Sequence, residues 1–431
     1  MKFDPVCKMS KQIVSGNLVP SLTREAFRIA EEERPGAVLL ELPEDVAAEN
    51  TDAELLIPNE RYYAVGCDEV LQLAAEKIKN SKRPLILLGA GANRRNIRRS
   101  ISNFINFTKI PFFCTQMGKG VVDESNELFL GTAALSDKDY LHDYIKAADL
   151  IINIGHDVVE KPPFFMEHGE TEVIHINYKS AKVDQIYFPQ IEVIGHIMLS
   201  LDKLCDLLDT PPNYDLSLFE KVKANVLEKI YEKSDCEDFP MKPQRAVSDI
   251  RKVMGYHDII ALDNGVYKIW FARNYPAFQP NTILLDNALA TMGAGLPSAM
   301  MAAMLFSKRR VMAICGDGGF MMNSQELETA VRYKLNMVCV ILNDSSYGMI
   351  RWKQAGSGFP DWGLEYKNPD FIKYAESYGA SGHRITSADE FFETLQSCYK
   401  KGGVHVIDLP VDYSENVKYL ISDLANHESI I

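Results

Sequence analysis

The stretch VMAICGDGGF, residues 311–320, decides the fold of the C-terminal part of the chain. Its first five residues are apolar and predict a buried strand, which runs into the glycine-rich turn 316–319. A second apolar run, MVCVIL at 337–342, predicts the next strand and ends in Asn343-Asp344. Between them, Asn323 and Glu326 form a capping-box pattern near the start of a helix predicted over 325–335. Strand, helix and strand in this order predict neighbouring parallel strands in an α/β fold.

Two carboxylates are expected at one edge of this sheet. Asp317 and Asp344 each follow a strand, and ligands of open α/β sheets bind at the carboxyl ends of the strands. Mg²⁺ binds through one or two carboxylates, substrate phosphates and water. The glycines of the turn let backbone N–H groups approach a diphosphate, and the N-terminus of the helix beyond favours an anion. The pattern therefore predicts a site for Mg²⁺ and a diphosphate, and two ordinary loop aspartates are the alternative.

The composition restricts the class of protein. A length of 431 residues predicts two or three domains. The 46 Lys and Arg against 59 Asp and Glu give a net charge of −13, which argues against nucleic acid or an anionic membrane as partner. The eight cysteines have no metal-ligand spacing, which indicates reduced thiols. The chain begins without a signal region and has no apolar run of the ~18–20 residues that span a membrane, so we expect a cytoplasmic protein.

The alternation of strand-like and helix-like segments continues along the chain. It predicts an α/β protein with two doubly wound parallel-sheet domains and a remnant of a third. We expect a central domain over 60–208, a partly helical linker over 209–243 and a further domain over 244–431. Residues 1–50 contain one predicted helix and one predicted strand, which is too little for a domain and indicates the C-terminal remnant of one with its linker.

A second glycine turn, Gly89-Ala90-Gly91, follows a predicted strand of the central domain. It resembles a dinucleotide-binding fingerprint, but Arg94 stands at the position of the third glycine and no clear acidic partner for a ribose follows. We therefore favour a tight turn that binds no dinucleotide, and an NAD-dependent oxidoreductase is a distant alternative.

The spacing of Gly316-Asp317-Gly318 and, about twenty-seven residues on, Asn343-Asp344 resembles the fingerprint of thiamine diphosphate enzymes. Within that superfamily, the chain from about residue 15 onward resembles the acetolactate synthase catalytic subunit. The most specific segments are ATMGAGLP (290–297), ELETAV (326–331), YGMIRWKQ (347–354), DFIKYAE (370–376) and IDLPVDYS (407–414). The resemblance implies the thiamine diphosphate-binding fold, and it makes 244–431 the diphosphate-binding domain.

The resemblance also implies roles for individual residues. Mg²⁺ would be held by the Asp317 and Asp344 side chains and by the backbone carbonyl of Ser346. Met292 would pack under the thiazolium and keep the cofactor bent, although core filling is the alternative for Met292 and for Met349. Substrate would contact Met349, Trp352 and Lys353. The residues implied to contact the cofactor are Gly265, Val266, Tyr267, Ala290, Met292, Gly316, Asp317, Gly318, Gly319, Asp344, Ser346, Tyr347, Gly348 and Met349.

Three departures from the family pattern inform the subtype. The stretch 154–160, Ile-Gly-His-Asp-Val-Val-Glu, lacks the Arg-Phe-Asp-Asp-Arg sequence of the FAD-containing enzymes, so the chain resembles the FAD-free catabolic type. Lys353 stands where the anabolic enzymes have a Trp, with Trp352 one residue earlier, which favours pyruvate over 2-ketobutyrate as second substrate. Most of the pyrimidine-binding domain is missing, and with it the glutamate that activates the cofactor, so no catalytic residue is assigned.

The expected reaction joins two pyruvates to 2-acetolactate and releases CO₂. Without the pyrimidine-binding domain we expect this activity to be incomplete. Another thiamine diphosphate-dependent 2-oxoacid decarboxylase or carboligase, or a non-catalytic chain, stays open. Whether the role is branched-chain amino acid or acetoin biosynthesis also stays open. Family active sites lie between two chains, which implies a homo-oligomer or a separate chain that carries the pyrimidine-binding domain.

Overall fold

The computed structural model describes residues 3–58, 63–94, 97–135, 139–156, 160, 166, 171–183, 187–287 and 289–427. Residues 1–64 form one compact unit, and residues 65–431 form a second, larger one. Among the described helices, none combines the length and the apolar character needed to cross a membrane.

The first unit contains two strands where the sequence predicted one. β1 (Met9–Gln12) pairs in parallel with β2 (Val38–Glu41), and α1 (Val19–Glu31) connects them ahead of the short α2 (Glu44–Ala47). The prediction of a single strand was wrong because Met9 is the one apolar, buried residue of β1. A strand this short with one apolar position gives no periodic signal.

The second unit begins with a doubly wound parallel sheet. Its strands are β3 (Pro84–Leu88), β4 (Phe112–Thr115), β5 (Phe129–Ala133), β6 (Leu150–Ile154), β7 (Glu172–Asn177) and β8 (Ile191–Ile194). Its helices are α3 (Asp68–Asn80), α4 (Arg98–Thr108), α5 (His142–Ala147) and α6 (Ile197–Leu208). The strands are ordered β5-β4-β3-β6-β7-β8 and all pair in parallel. The strand order therefore reverses between β3 and β6, which is the topological switch point of a doubly wound fold.

A second doubly wound parallel sheet follows. Its strands are β9 (Ile259–Leu262), β10 (Ile283–Leu284), β11 (Val311–Gly316), β12 (Met337–Asn343), β13 (Ser381–Arg384) and β14 (Val404–Pro410), in the order β10-β9-β11-β12-β14-β13. The helices of this region are α7 (Ser217–Tyr231), α8 (Pro243–Val253), α9 (Tyr267–Asn274), α10 (Gly295–Leu305), α11 (Asp317–Met322), α12 (Leu327–Arg332), α13 (Gly348–Gly356), α14 (Phe371–Ser377), α15 (Ala388–Lys401) and α16 (Asp423–Ala425). The predicted fold class, two doubly wound parallel sheets, is confirmed.

The strands that the sequence did not reveal are the edge strands. β5 and β8 border the first sheet, and β10 and β13 border the second. Central strands are covered on both faces and carry continuous apolar runs, as β3 does with every residue buried. An edge strand such as β13, Ser-Gly-His-Arg, is only partly buried and lacks that run.

The helix pattern after the turn 316–319 also needs a correction. The predicted capping box is wrong, because the Asn323 side chain caps no helix and its Nδ2 donates to the Gly293 carbonyl oxygen over 2.8 Å. The predicted helix 325–335 is a 3₁₀ turn over Ser324–Glu326 followed by α12. Asp317, Gly318 and Gly319 of the predicted glycine turn are the first residues of another helix, α11. Asn323 instead fastens the loop before α10.

Candidate active site

A pocket opens at the carboxyl edge of the second sheet, where the strand order reverses between β9 and β11. Strand register creates it: Gly316 of β11 lies opposite Leu342 of β12, so Asp317 and Asp344 leave the sheet side by side. Every residue predicted to contact a cofactor lines this pocket except Ala290. The predicted residues that line it are Gly265, Val266, Tyr267, Met292, Gly316, Asp317, Gly318, Gly319, Asp344, Ser346, Tyr347, Gly348 and Met349.

Asp317 is buried and held from three directions. Its Oδ1 accepts hydrogen bonds from the Gly318 backbone N–H and the Tyr366 hydroxyl, each at 2.9 Å. Its Oδ2 accepts from Nδ2 of Asn368 at 2.6 Å. Burial raises the pKa of the Asp317 carboxyl, and these donors oppose that rise. The carboxylate is therefore fixed in position at the floor of the pocket.

Asp344 lies near the negative charge of the Asp317 carboxylate. Burial raises its pKa to about 7, and the neighbouring Asp317 carboxylate adds to the rise, whereas Arg351 opposes it. The Ser346 carbonyl lies close by, since the Tyr366 hydroxyl that bonds Asp317 is also 3.4 Å from that oxygen. Two desolvated carboxylates and a carbonyl are oxygen donors of the kind that a hard divalent cation binds. A cation between the carboxylates would remove their mutual repulsion, so the donor set fits Mg²⁺.

The glycine turn packs closely against a third aspartate, Asp263. A Cβ added at Gly319 would lie 2.3 Å from Oδ2 of Asp263, a contact that no side chain can make. Asp263 is itself buried and accepts hydrogen bonds from the backbone N–H groups of Gly293 at 2.9 Å and Ala294 at 3.2 Å. It therefore joins the glycine turn to the loop that carries Met292.

Comparison with known proteins agrees with this geometry. Residues 263–409 match the family described as "Thiamine pyrophosphate enzyme, C-terminal TPP binding domain", and residues 71–204 match "Thiamine pyrophosphate enzyme, central domain". An acetolactate synthase from Bacillus subtilis (strain 168) is 29% identical over 98% of this chain and 75% of its own length. A catabolic acetolactate synthase from Raoultella terrigena is 30% identical over 96% of this chain and 75% of its own. A probable acetolactate synthase large subunit from Methanocaldococcus jannaschii is 31% identical over 96% and 73%.

This chain is a thiamine pyrophosphate enzyme of the acetolactate synthase family. The predicted family resemblance is thereby confirmed, as is the prediction of an enzyme.

Within this thiamine pyrophosphate enzyme, not every predicted site residue lies in the pocket. Ala290 has a positive φ of 49° and is exposed, outside the pocket lining. Met349 lines the pocket, but Trp352 lies in an adjoining cavity that it shares with Asp344. Lys353 is exposed, with its Nζ 5.0 Å from the centre of the Trp352 ring, and lines neither cavity. Ala290 and Lys353 are therefore the predicted residues that the structure keeps apart from the others.

Sequence reasoning missed three residues that shape the pocket: Asp263, Tyr366 and Asn368. Asp263 directly follows β9, so the rule that singled out Asp317 and Asp344 would also have found it. Tyr366 and Asn368 come from the segment before α14 and carry no local motif, so only the fold brings them to Asp317. Asn343, the other half of the Asn-Asp pair, has its amide turned to Oδ1 of Asp408 at 2.8 Å.

The other glycine turn lies at the switch point of the first sheet, and its backbone N–H groups donate to other groups of the protein. Oε1 of Glu160 accepts from the Ala90 backbone N–H at 2.8 Å, and the Thr115 hydroxyl donates to Oε2. The Gly91 N–H donates to the Gly155 carbonyl at 2.6 Å. Within the stretch 154–160 that was compared with the FAD-containing enzymes, residues 157–159 lie outside the described part of the chain.

Proposed function

We propose that this chain catalyses the Mg²⁺- and thiamine diphosphate-dependent condensation of two pyruvates to 2-acetolactate, with release of CO₂. One observation carries the proposal: Asp317 and Asp344 enter a single pocket beside the glycine turn 316–319. The relatives named acetolactate synthase support the choice of reaction.

Different residues of the pocket would hold different parts of the cofactor. Asp317, Asp344 and the Ser346 carbonyl would bind Mg²⁺, and the backbone of Gly316 and Gly319, which lines the pocket, would face the diphosphate. When bound, thiamine diphosphate supplies the nucleophilic carbon and the electron sink that decarboxylation of a 2-oxoacid needs. Met292 and Met349 both line the pocket, where Met292 would support the ring system and Met349 would exclude water on the substrate side.

A pyrimidine-binding domain completes the site in this proposal. The matched family regions cover the central domain and the C-terminal TPP-binding domain. Among the described residues that line the pocket, the carboxylates are Asp317 and Asp344, and both belong to the proposed metal site. We propose that such a domain supplies the acid–base glutamate. Full activity then needs both parts.

We further propose that the enzyme works without FAD. The support is the contact of Glu160 with the Ala90 N–H and the Thr115 hydroxyl, which places a carboxylate of the protein where a dinucleotide diphosphate would approach the glycine turn. Two anions cannot share those donors without strong repulsion. Activity measured after gel filtration should not rise when FAD is added.

The test is 2-acetolactate formation from pyruvate by the purified chain with thiamine diphosphate and Mg²⁺. The chain is assayed alone and then with a separately expressed pyrimidine-binding domain from a relative, and Asp317→Asn is the inactive control. The proposal expects acetolactate on complementation. Acetaldehyde as the sole product would replace it with a simple 2-oxoacid decarboxylase. Cofactor binding with no product in either assay would replace it with a non-catalytic chain.

A further inference from the structure

Two histidines and a cysteine meet at the far side of the second sheet. His383 lies on β13, His405 on β14 and Cys398 on α15. One ring nitrogen of each histidine and the Cys398 Sγ all lie within 4.8 Å of one another. His405 is opposite Val338 near the start of β12, whereas the pocket is lined by Leu342 near the other end of that strand. The cluster is therefore separate from the proposed cofactor site.

The two imidazoles are spaced to share one ion. Nε2 of His383 lies 3.0 Å from Nδ1 of His405. A tetrahedral zinc ion with Zn–N bonds of about 2.0–2.1 Å holds two nitrogens roughly 3.3 Å apart. A few tenths of an ångström therefore separate the hydrogen-bonded pair from a ligating pair.

The hydrogen bonds also fix the tautomer of His405. Its Nε2 lies 3.0 Å from the Gly402 carbonyl oxygen, which can only accept, so Nε2 carries the proton and the Nδ1 lone pair accepts from Nε2–H of His383. A backbone carbonyl on the outer N–H is the usual support of a metal-ligating histidine. Burial lowers the pKa of both His383 and His405, which keeps the rings in the neutral form that binds metals.

Cys398 supplies a third, softer donor. It is buried, and burial raises the pKa of its thiol to about 11, while Lys401 opposes that rise. Two imidazoles and a thiol select zinc-like ions over Mg²⁺, which prefers oxygen. A cavity lined by Cys398, His405, Lys400 and Lys401 adjoins the cluster and leaves room for a fourth ligand. The lysines there favour an anionic one, such as hydroxide or chloride.

We propose that His383, Cys398 and His405 bind one zinc-class ion, which ties α15 to the edge strand β13 through β14. On binding, the Cys398 thiol releases its proton to solvent, and the ion replaces the hydrogen bond between the histidines. His383 then carries its proton on Nδ1. Because β13 borders the sheet, a metal link here would resist its fraying.

The experiment is a Co²⁺ titration of the full chain in the presence of thiamine diphosphate and excess Mg²⁺. The proposal expects a thiolate-to-cobalt charge-transfer band in the near ultraviolet that Zn²⁺ abolishes by competition. Cobalt at Asp317 and Asp344 would have oxygen ligands and give no such band. The proposal would be overturned if the wild-type protein showed no such band, or if the band persisted in Cys398→Ser.

Variants separate a metal role from a packing role. Cys398→Ser and His405→Asn should each lower Zn²⁺ affinity at least tenfold, whereas Cys205→Ser on α6 should leave it unchanged. Zn²⁺ should raise the melting temperature of the wild type and leave that of His383→Asn unmoved. An equal zinc-induced shift in wild type and His383→Asn would contradict the site, even if Cys398→Ser failed to fold.

Discussion

The two glycine turns of this enzyme begin alike and end differently. Each follows a buried strand at the switch point of a doubly wound sheet, after β3 in one case and after β11 in the other. In the turn after β3, Glu160 and the Gly155 carbonyl take up the backbone N–H groups of Ala90 and Gly91. The turn after β11 instead borders an open pocket that contains Asp317 and Asp344.

The difference lies in what the carboxylate at each turn contacts. A carboxylate that accepts from the turn, as Glu160 does, occupies the position of an anionic ligand. A carboxylate within the turn that faces a second carboxylate, as Asp317 faces Asp344, creates a place for a cation and through it for a diphosphate. Similar backbone signatures therefore lead to one structural turn and one proposed cofactor site.

The largest expected effect comes from removing Asp344, the carboxylate that faces the second turn. Asp344→Ala should weaken Mg²⁺-dependent binding of thiamine diphosphate at least about 100-fold, since losing a supporting contact alone typically weakens metal binding 10–100-fold. Isothermal titration with the cofactor measures this. Glu160→Ala, the matched truncation beside the first turn, should bind the cofactor like the wild type. Retained binding in Asp344→Ala would take Asp344 out of the site.

A pair of glycine substitutions tests whether only the second turn supports cofactor binding. Gly319→Ala places a Cβ 2.3 Å from Oδ2 of Asp263, and Gly91→Ala places one 2.8 Å from the Gly155 carbonyl. Each should lower the free energy of unfolding by about 1–3 kcal/mol, as overpacking does. Only Gly319→Ala should also weaken cofactor binding, by about tenfold. Thermal unfolding and cofactor titration of both variants check this, and equal loss of binding in both would erase the distinction.

The sequence predicted the parts of the site that local order determines. Asp317 and Asp344 were found because each ends an apolar strand, and parallel strands bring their ends together. Tyr366 and Asn368 could not be found, because they reach Asp317 through the tertiary fold from a segment with no periodic pattern. Edge strands such as β13 escaped for a related reason, since partial burial leaves no continuous apolar run. Lys353 was predicted from the family resemblance, but its exposed side chain lines no part of the pocket.

Loss of the Glu160 carboxylate tests the structural role of the first turn. Glu160→Ala removes the acceptor for the Ala90 N–H and the Thr115 hydroxyl. Leaving such donors unsatisfied costs about 1–3 kcal/mol, so the midpoint of urea unfolding should fall while cofactor affinity stays unchanged. The midpoint should fall less in Thr115→Val, because the hydrogen bond from the Ala90 N–H to Glu160 remains. Unchanged stability in Glu160→Ala would mean that water or another group replaces the carboxylate.

The smallest effect is expected from a single hydroxyl at the second turn. Tyr366→Phe removes the 2.9 Å bond to Oδ1 of Asp317 but keeps the ring that packs on Tyr347, with ring centres 4.8 Å apart. One bond of about 1 kcal/mol to a carboxylate that keeps its Gly318 and Asn368 donors should weaken Mg²⁺ binding about two- to tenfold. Tyr374→Phe, which loses a hydroxyl bonded to Ser324 in the same domain, is the control and should bind Mg²⁺ normally. A larger loss in Tyr366→Phe than in Asp344→Ala would mean that the hydroxyl, and not the second carboxylate, fixes the ion.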